Sequence, residues 1–164
     1  MAHAISLPEG VGPRFDALLP ALRALLEGEP DRTANCANVA AALHEAFGWH
    51  WVGFYRVDAG RDCLVLGPFQ GPVACTRLHR GRGVCAAAWE SGETVVVADV
   101  EAFPGHVACS ALSRSEVVVP VVVEGEVVAV LDVDATELDA FTAAHVAGLE
   151  RVVAEIASQW SSWE

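Results

Sequence analysis

Cys109 sits within Phe103 to Glu116, FPGHVACSALSRSE, a polar, turn-rich stretch opened by Pro104-Gly105 and closed by a carboxylate, Glu116, at the head of the apolar run Val117 to Val123. A thiol on a loop at the end of a strand can reach a bound molecule, whereas one in the middle of a helix face usually cannot. Cys75 and Cys85 also fall in or beside long loops. Three loop thiols in one domain suggest a nucleophile with resolving partners. The rival chemistry is metal binding, since Cys75-x3-His79 and His106-x2-Cys109, with Cys85, offer borderline zinc spacing. That set lacks the paired CxxC of a structural zinc site. Of the remaining thiols, Cys36 lies on the apolar face of a helical pattern and reads as packing, and Cys63 starts a strand beside Asp62 with nothing near it in sequence to activate it.

Two further groups have the right composition for a pocket. Trp51, Gly53 and Tyr55 share one face of a strand, so two aromatics flank a gap suited to a small flat or methyl-bearing ligand; the alternative is that both are core. Asp132 and Asp134 share a face at the end of an otherwise apolar strand. Either that strand is simply ending, or the pair binds an ammonium or keeps one acid protonated by its neighbour. Whether Glu116 joins them depends on hairpin register. A two-residue turn at Glu124-Gly125 places Glu116 opposite Val133, on the wrong face; a three-residue turn, or a bulge near Pro120, places it opposite Asp134 and gathers all three acids.

The elements that position these residues are legible as patterns. Phe15, Leu18, Leu19, Leu22, Leu25 and Leu26 recur at helical spacing, with Pro20 inside and Gly28 as a stop. Asp31 is an N-cap for a second helix to about Phe47, with Gly48 after it. Strands are predicted at Trp51 to Val57, Cys63 to Leu66 and Thr94 to Ala98, with a hairpin from Val117 to Val123 and Val127 to Val133. Gly67 to Gly83 and Asp99 to Ser115 read as long loops, Val84 to Glu90 as a short helix, and Asp139 to Trp160 as a final helix. Short turns between strands mean antiparallel pairing. The pattern is therefore a single α+β domain: a central antiparallel sheet, helices packed against it, and two long loops over a pocket. Residues 1–13 read as a flexible tail and 14–164 as the domain.

Bulk properties exclude whole classes of function. Net charge is −12, with ten arginines and no lysine, which disfavours nucleic acid and anionic membrane surfaces. No apolar window approaches the roughly 20 residues of a membrane span, and no signal peptide is visible. An odd number of cysteines without a secretion signal points to a reducing, cytoplasmic setting.

Taken in order, WVGFY (Trp51 to Tyr55), LGPFQGPVAC (Leu66 to Cys75), GRGVCAAA (Gly81 to Ala88), FPGHVACSALSRSEVVVP (Phe103 to Pro120) and VLDVD (Val130 to Asp134) resemble the free methionine-(R)-sulfoxide reductases, small GAF-domain enzymes. The resemblance covers roughly residues 15 to 158. It implies Cys109 as catalytic cysteine, Cys75 as the main resolving cysteine and Cys85 as a third that can enter the relay. It also implies Trp51 and Tyr55 around the methyl-sulfur end of the substrate, with Glu116, Asp132 and Asp134 as ligand-binding carboxylates. No bound cofactor or metal is implied; free methionine sulfoxide is the substrate, thioredoxin the external reductant, and a homodimer the assembly the family suggests. One departure is Ser110, where members often have Asp, which leaves the nucleophile motif intact but bears on the order of its loop. A ligand-sensing GAF module is the alternative from another class; it would leave the loop cysteines idle.

Overall fold

The computed structural model describes residues 6–164. Of the stretch expected as tail, residues 1–5 lie outside the described residues, and Val11 to Pro13 form the first turn of α1, Val11–Leu26. Pro20 is accommodated inside α1 on its solvent face. Helix α2, Arg32–Phe47, has the limits its sequence signals: Asp31 accepts a hydrogen bond from the Ala34 N–H, and Gly48 closes the helix in the left-handed conformation.

Six strands form one antiparallel sheet in the order β3-β2-β1-β6-β5-β4. They are β1 Trp51–Asp58, β2 Cys63–Gln70, β3 Arg77–His79, β4 Val95–Val97, β5 Ser115–Val123 and β6 Glu126–Ala135. Helix α3, Val84–Ser91, follows β3, and α4, Ala143–Gln159, ends in a 3-10 turn at Trp160–Ser162. No helix among the described residues is long and apolar enough to cross a membrane.

Three expectations are corrected. The first concerns β2, which continues past Leu66 to Gln70, so the first long loop is shorter than its glycines and prolines suggest. Gly53 pairs with Phe69 and Tyr55 with Leu66, leaving Gly67 and Pro68 together opposite Phe54; the proline sits in a bulge, where a missing N–H is tolerated. Second, the same loop contains β3, which pairs Cys63 with His79. Third, the final helix starts at Ala143 and not Asp139, which takes a left-handed φ of 49°. Thr142 and His145 cap it reciprocally.

The sheet separates two cores. One face carries Val52, Phe54, Val117, Val119, Leu131 and Val133 against α1, α2 and α4. The opposite face carries Trp51, Tyr55, Val118 and Val130 against α3, with Leu78, Val97 and Val100 completing it. Alternation along β5 and along β6 from Val130 to Asp134 means that whatever shares a face with Val118 and Val130 there points towards α3.

Candidate active site

The hairpin register decides the site. Glu116 pairs with Asp134, Val117 with Val133 and Val118 with Asp132. The turn itself is the two-residue Glu124-Gly125, both residues with positive φ, which alone would have sent Glu116 to the other face. A bulge corrects it: Val121 pairs with Ala129 and Val122 with Val127, leaving Val128 unpaired. The three acids therefore converge on the α3 side of the sheet.

They line a hollow of about 50 Å3 with Trp51, Tyr55, Cys85 and Cys109. Gly53, opposite Asp132, is what keeps the aromatic wall flat, for the Trp51 ring stacks on Phe69 across it, and a Cβ there would meet Phe69 Cβ at 2.3 Å. Cys75 and Cys109 are joined in a disulfide across a Cα–Cα distance of 5.6 Å. Cys85 is free and buried at the N-terminal turn of α3, its Sγ 4.0 Å from Glu116 Oε1.

Burial dominates the electrostatics. Desolvation pushes Glu116 well up from the usual carboxylate range, and the charges of Asp132 and Asp134 push it further. Asp134 is raised by burial and by Asp132, against a hydrogen bond from Ser113 that favours its charged form. Asp132 is pushed up to about 6 by burial, restrained by hydrogen bonds from Glu116 and Cys85. All three acids are thus pushed towards their protonated forms, and so close together they release their protons as one coupled set. Asp132 Oδ1 is buried with no hydrogen-bond partner, an arrangement that a ligand donor would complete. Burial and the same acids keep Cys85 a neutral thiol. In this arrangement it is a poor nucleophile.

As to metals, Cys75 and Cys109 are bonded to one another, so neither offers a thiolate in this state. The atoms of Cys85, Glu116 and Asp132 that could hold a cation lie within 4.8 Å of one another. Of the five residues that spacing offered, Cys75, His79, Cys85, His106 and Cys109, this trio contains Cys85 alone.

Three hydrogen bonds run from the start of β1 to the cysteine loops. The Tyr55 hydroxyl donates to the Cys75 carbonyl (2.9 Å), and the Trp51 indole N–H to the Pro72 carbonyl (3.1 Å). His50 Nε2 lies 3.1 Å from Ser110 Oγ, which also accepts the Leu112 N–H. His50 and Ser113 escaped sequence reasoning: His50 precedes the WVGFY motif, Ser113 lies in the Phe103 to Pro120 motif with no role given to it, and only register and loop path bring them to the site. Away from it, Cys36 is pushed up to about 12 by burial, as a packing residue should be. Cys63 is buried, with Arg77 Nη1 3.7 Å from its sulfur, a neighbour that sequence did not offer.

The GAF domain pattern matches residues 20–158. A structure from Neisseria meningitidis, described as a free methionine-R-sulfoxide reductase in complex with its substrate, superposes with a TM-score of 0.95 and 46% identity over 98% of this chain and 97% of that one. This chain belongs to the free methionine-R-sulfoxide reductase family of GAF domains. The free methionine-R-sulfoxide reductase of Escherichia coli (strain K12) is 43% identical, over 81% of this chain and 80% of its own length. GAF domain-containing protein A of Dictyostelium discoideum is 54% identical over 78% of this chain and 80% of its own.

Proposed function

We propose that this protein reduces free methionine (R)-sulfoxide to methionine, with Cys109 as the nucleophile and Cys75 as its resolving partner. The observation that carries the reading is the Cys75–Cys109 bond beside a hollow lined by Glu116, Asp132 and Asp134. In the reduced protein the Cys109 thiolate attacks the electrophilic sulfur of the sulfoxide. The oxygen takes a proton from Glu116 or Asp134, acids whose hold on a proton burial strengthens. Ionised Asp132, with its open Oδ1, faces the substrate ammonium, and Trp51 and Tyr55 wall the methyl-sulfur end. The substrate S–O bond and the new bond to Cys109 then break as the protonated oxygen passes to the Cys109 sulfur, so that methionine departs and Cys109 is left as a sulfenic acid. The Cys75 thiol condenses with it, expelling water and forming the disulfide, which a thioredoxin-type dithiol reduces back to two thiols.

The test is NADPH-coupled turnover of each sulfoxide epimer, free and peptide-bound. Turnover confined to the free R epimer, and lost in Cys109→Ser, is expected. A Cys109→Ser variant that turned over normally would leave Cys109 without a role, and a small-molecule sensor would have no turnover to lose.

A further inference from the structure

The two loops that carry the disulfide have a surface unlike the rest of the chain. Although net charge is −12, residues 71–83 and 104–115 contain Arg77, Arg80, Arg82 and Arg114 and no Asp or Glu at all. Arg80 pairs with Asp62, and Arg77 approaches Asp58. Arg82 and Arg114 are exposed and make no ion pair among the described residues. These loops also hold the two most exposed large apolar side chains described, Val73 (87% exposed) and Leu112 (64%). Val73 lies two residues before Cys75 and Leu112 three after Cys109, one on each of the loops that the bond joins. Lone exposed hydrophobics are ordinary. A pair flanking a disulfide in sequence, on two loops that carry arginines and no acid of their own in an acidic protein, is a combination with a use.

We infer that Val73, Leu112 and Arg114 form the docking surface for the reductant, a small dithiol protein that presents an apolar rim and acidic flanks to these loops. The inference rests on the reductase reading above. Two large apolar contacts bring the partner's thiolate onto the disulfide, and the arginines attract acidic flanks that the remaining surface of this chain would repel. The exchange is balanced. One thiolate of the partner attacks a sulfur of the Cys75–Cys109 bond, the other cysteine leaves as thiolate, and the second thiol of the partner then displaces the mixed disulfide. Two electrons and two protons pass to Cys75 and Cys109, and the partner is left as a disulfide.

Arg82 borders the hollow and bears on the substrate as well, so the test uses Leu112 and Arg114, which do not line it. Leu112→Glu and Arg114→Glu are compared with wild type in two assays of free methionine sulfoxide reduction, one driven by thioredoxin with its NADPH-dependent reductase and one by dithiothreitol. The expected result is a rise of about tenfold in the KM for thioredoxin in each variant, as for loss of an interface anchor, with dithiothreitol-driven turnover within about twofold of wild type. Wild-type kcat/KM for thioredoxin should fall as salt rises, and less steeply in Arg114→Glu. An unchanged KM for thioredoxin in both variants, or an equal fall in both assays, overturns the docking surface. Absence of turnover with dithiothreitol in wild type would instead overturn the reductase reading.

Discussion

With its carboxyl pushed up to about 6 by burial, Asp132 is ionised at neutral pH at a cost to the fold. A raised acid holds its proton more tightly folded than unfolded, so this contribution to stability is greatest below pH 4 and is lost as pH rises through 6. Asp132→Asn removes the cost. Its urea midpoint at pH 7 should exceed that of wild type, by on the order of 2 kcal/mol in unfolding free energy, with the difference vanishing near pH 4. On the proposed placement of the substrate ammonium, protonating Asp132 removes the charge that faces it, so the KM for free methionine sulfoxide should rise as pH falls below about 6. A flat KM between pH 5 and pH 8 would detach Asp132 from binding. At the sulfurs, Cys75→Ser should release one equivalent of methionine and leave a sulfenic acid on Cys109 that dimedone traps, with no cycling on thioredoxin. Normal cycling would assign resolution to Cys85, whose burial argues against it.

At the scale of elements, legibility followed how local the deciding interaction was. Helix α2 was read to its ends because Asp31 and Gly48 act within one turn of themselves. The site residues Cys75, Cys109, Trp51, Tyr55, Asp132 and Asp134 were nameable because strand alternation and the family motifs mark them. The course of β2 past Leu66 was not, because Gly67 and Pro68 signal a loop until the bulge opposite Phe54 gives them a place in the ladder. The register of Glu116 was open for a similar reason: an unpaired valine, Val128, determines it, and valines crowd both strands. Gly53 is the position where element and site are most tightly joined. A Cβ there would drive Phe69 and Trp51 apart, so Gly53→Ala should lower stability by about 2 kcal/mol in a urea titration and loosen the aromatic wall. Unaltered unfolding would mean that the strands separate more cheaply than their packing implies.

For the whole molecule, the sheet acts as a partition, with a helical core on one side that holds no site residue and chemistry confined to the other. Arg32 adds a clasp to the helical side: its guanidinium stacks over Trp160 and bonds the Trp163 carbonyl, tying the chain end to α2. On the reactive side, the space left beneath the linked cysteines is about 50 Å3. Pockets for small organic molecules usually start near 300 Å3. The bridged form is tighter than a site of that kind, and on the reading proposed above the substrate enters only once the bridge is opened, so that the protein is emptied before it is recharged. Added methionine should accordingly compete with the sulfoxide for the dithiol form alone, leaving kcat/KM for the electron donor unchanged at every methionine concentration.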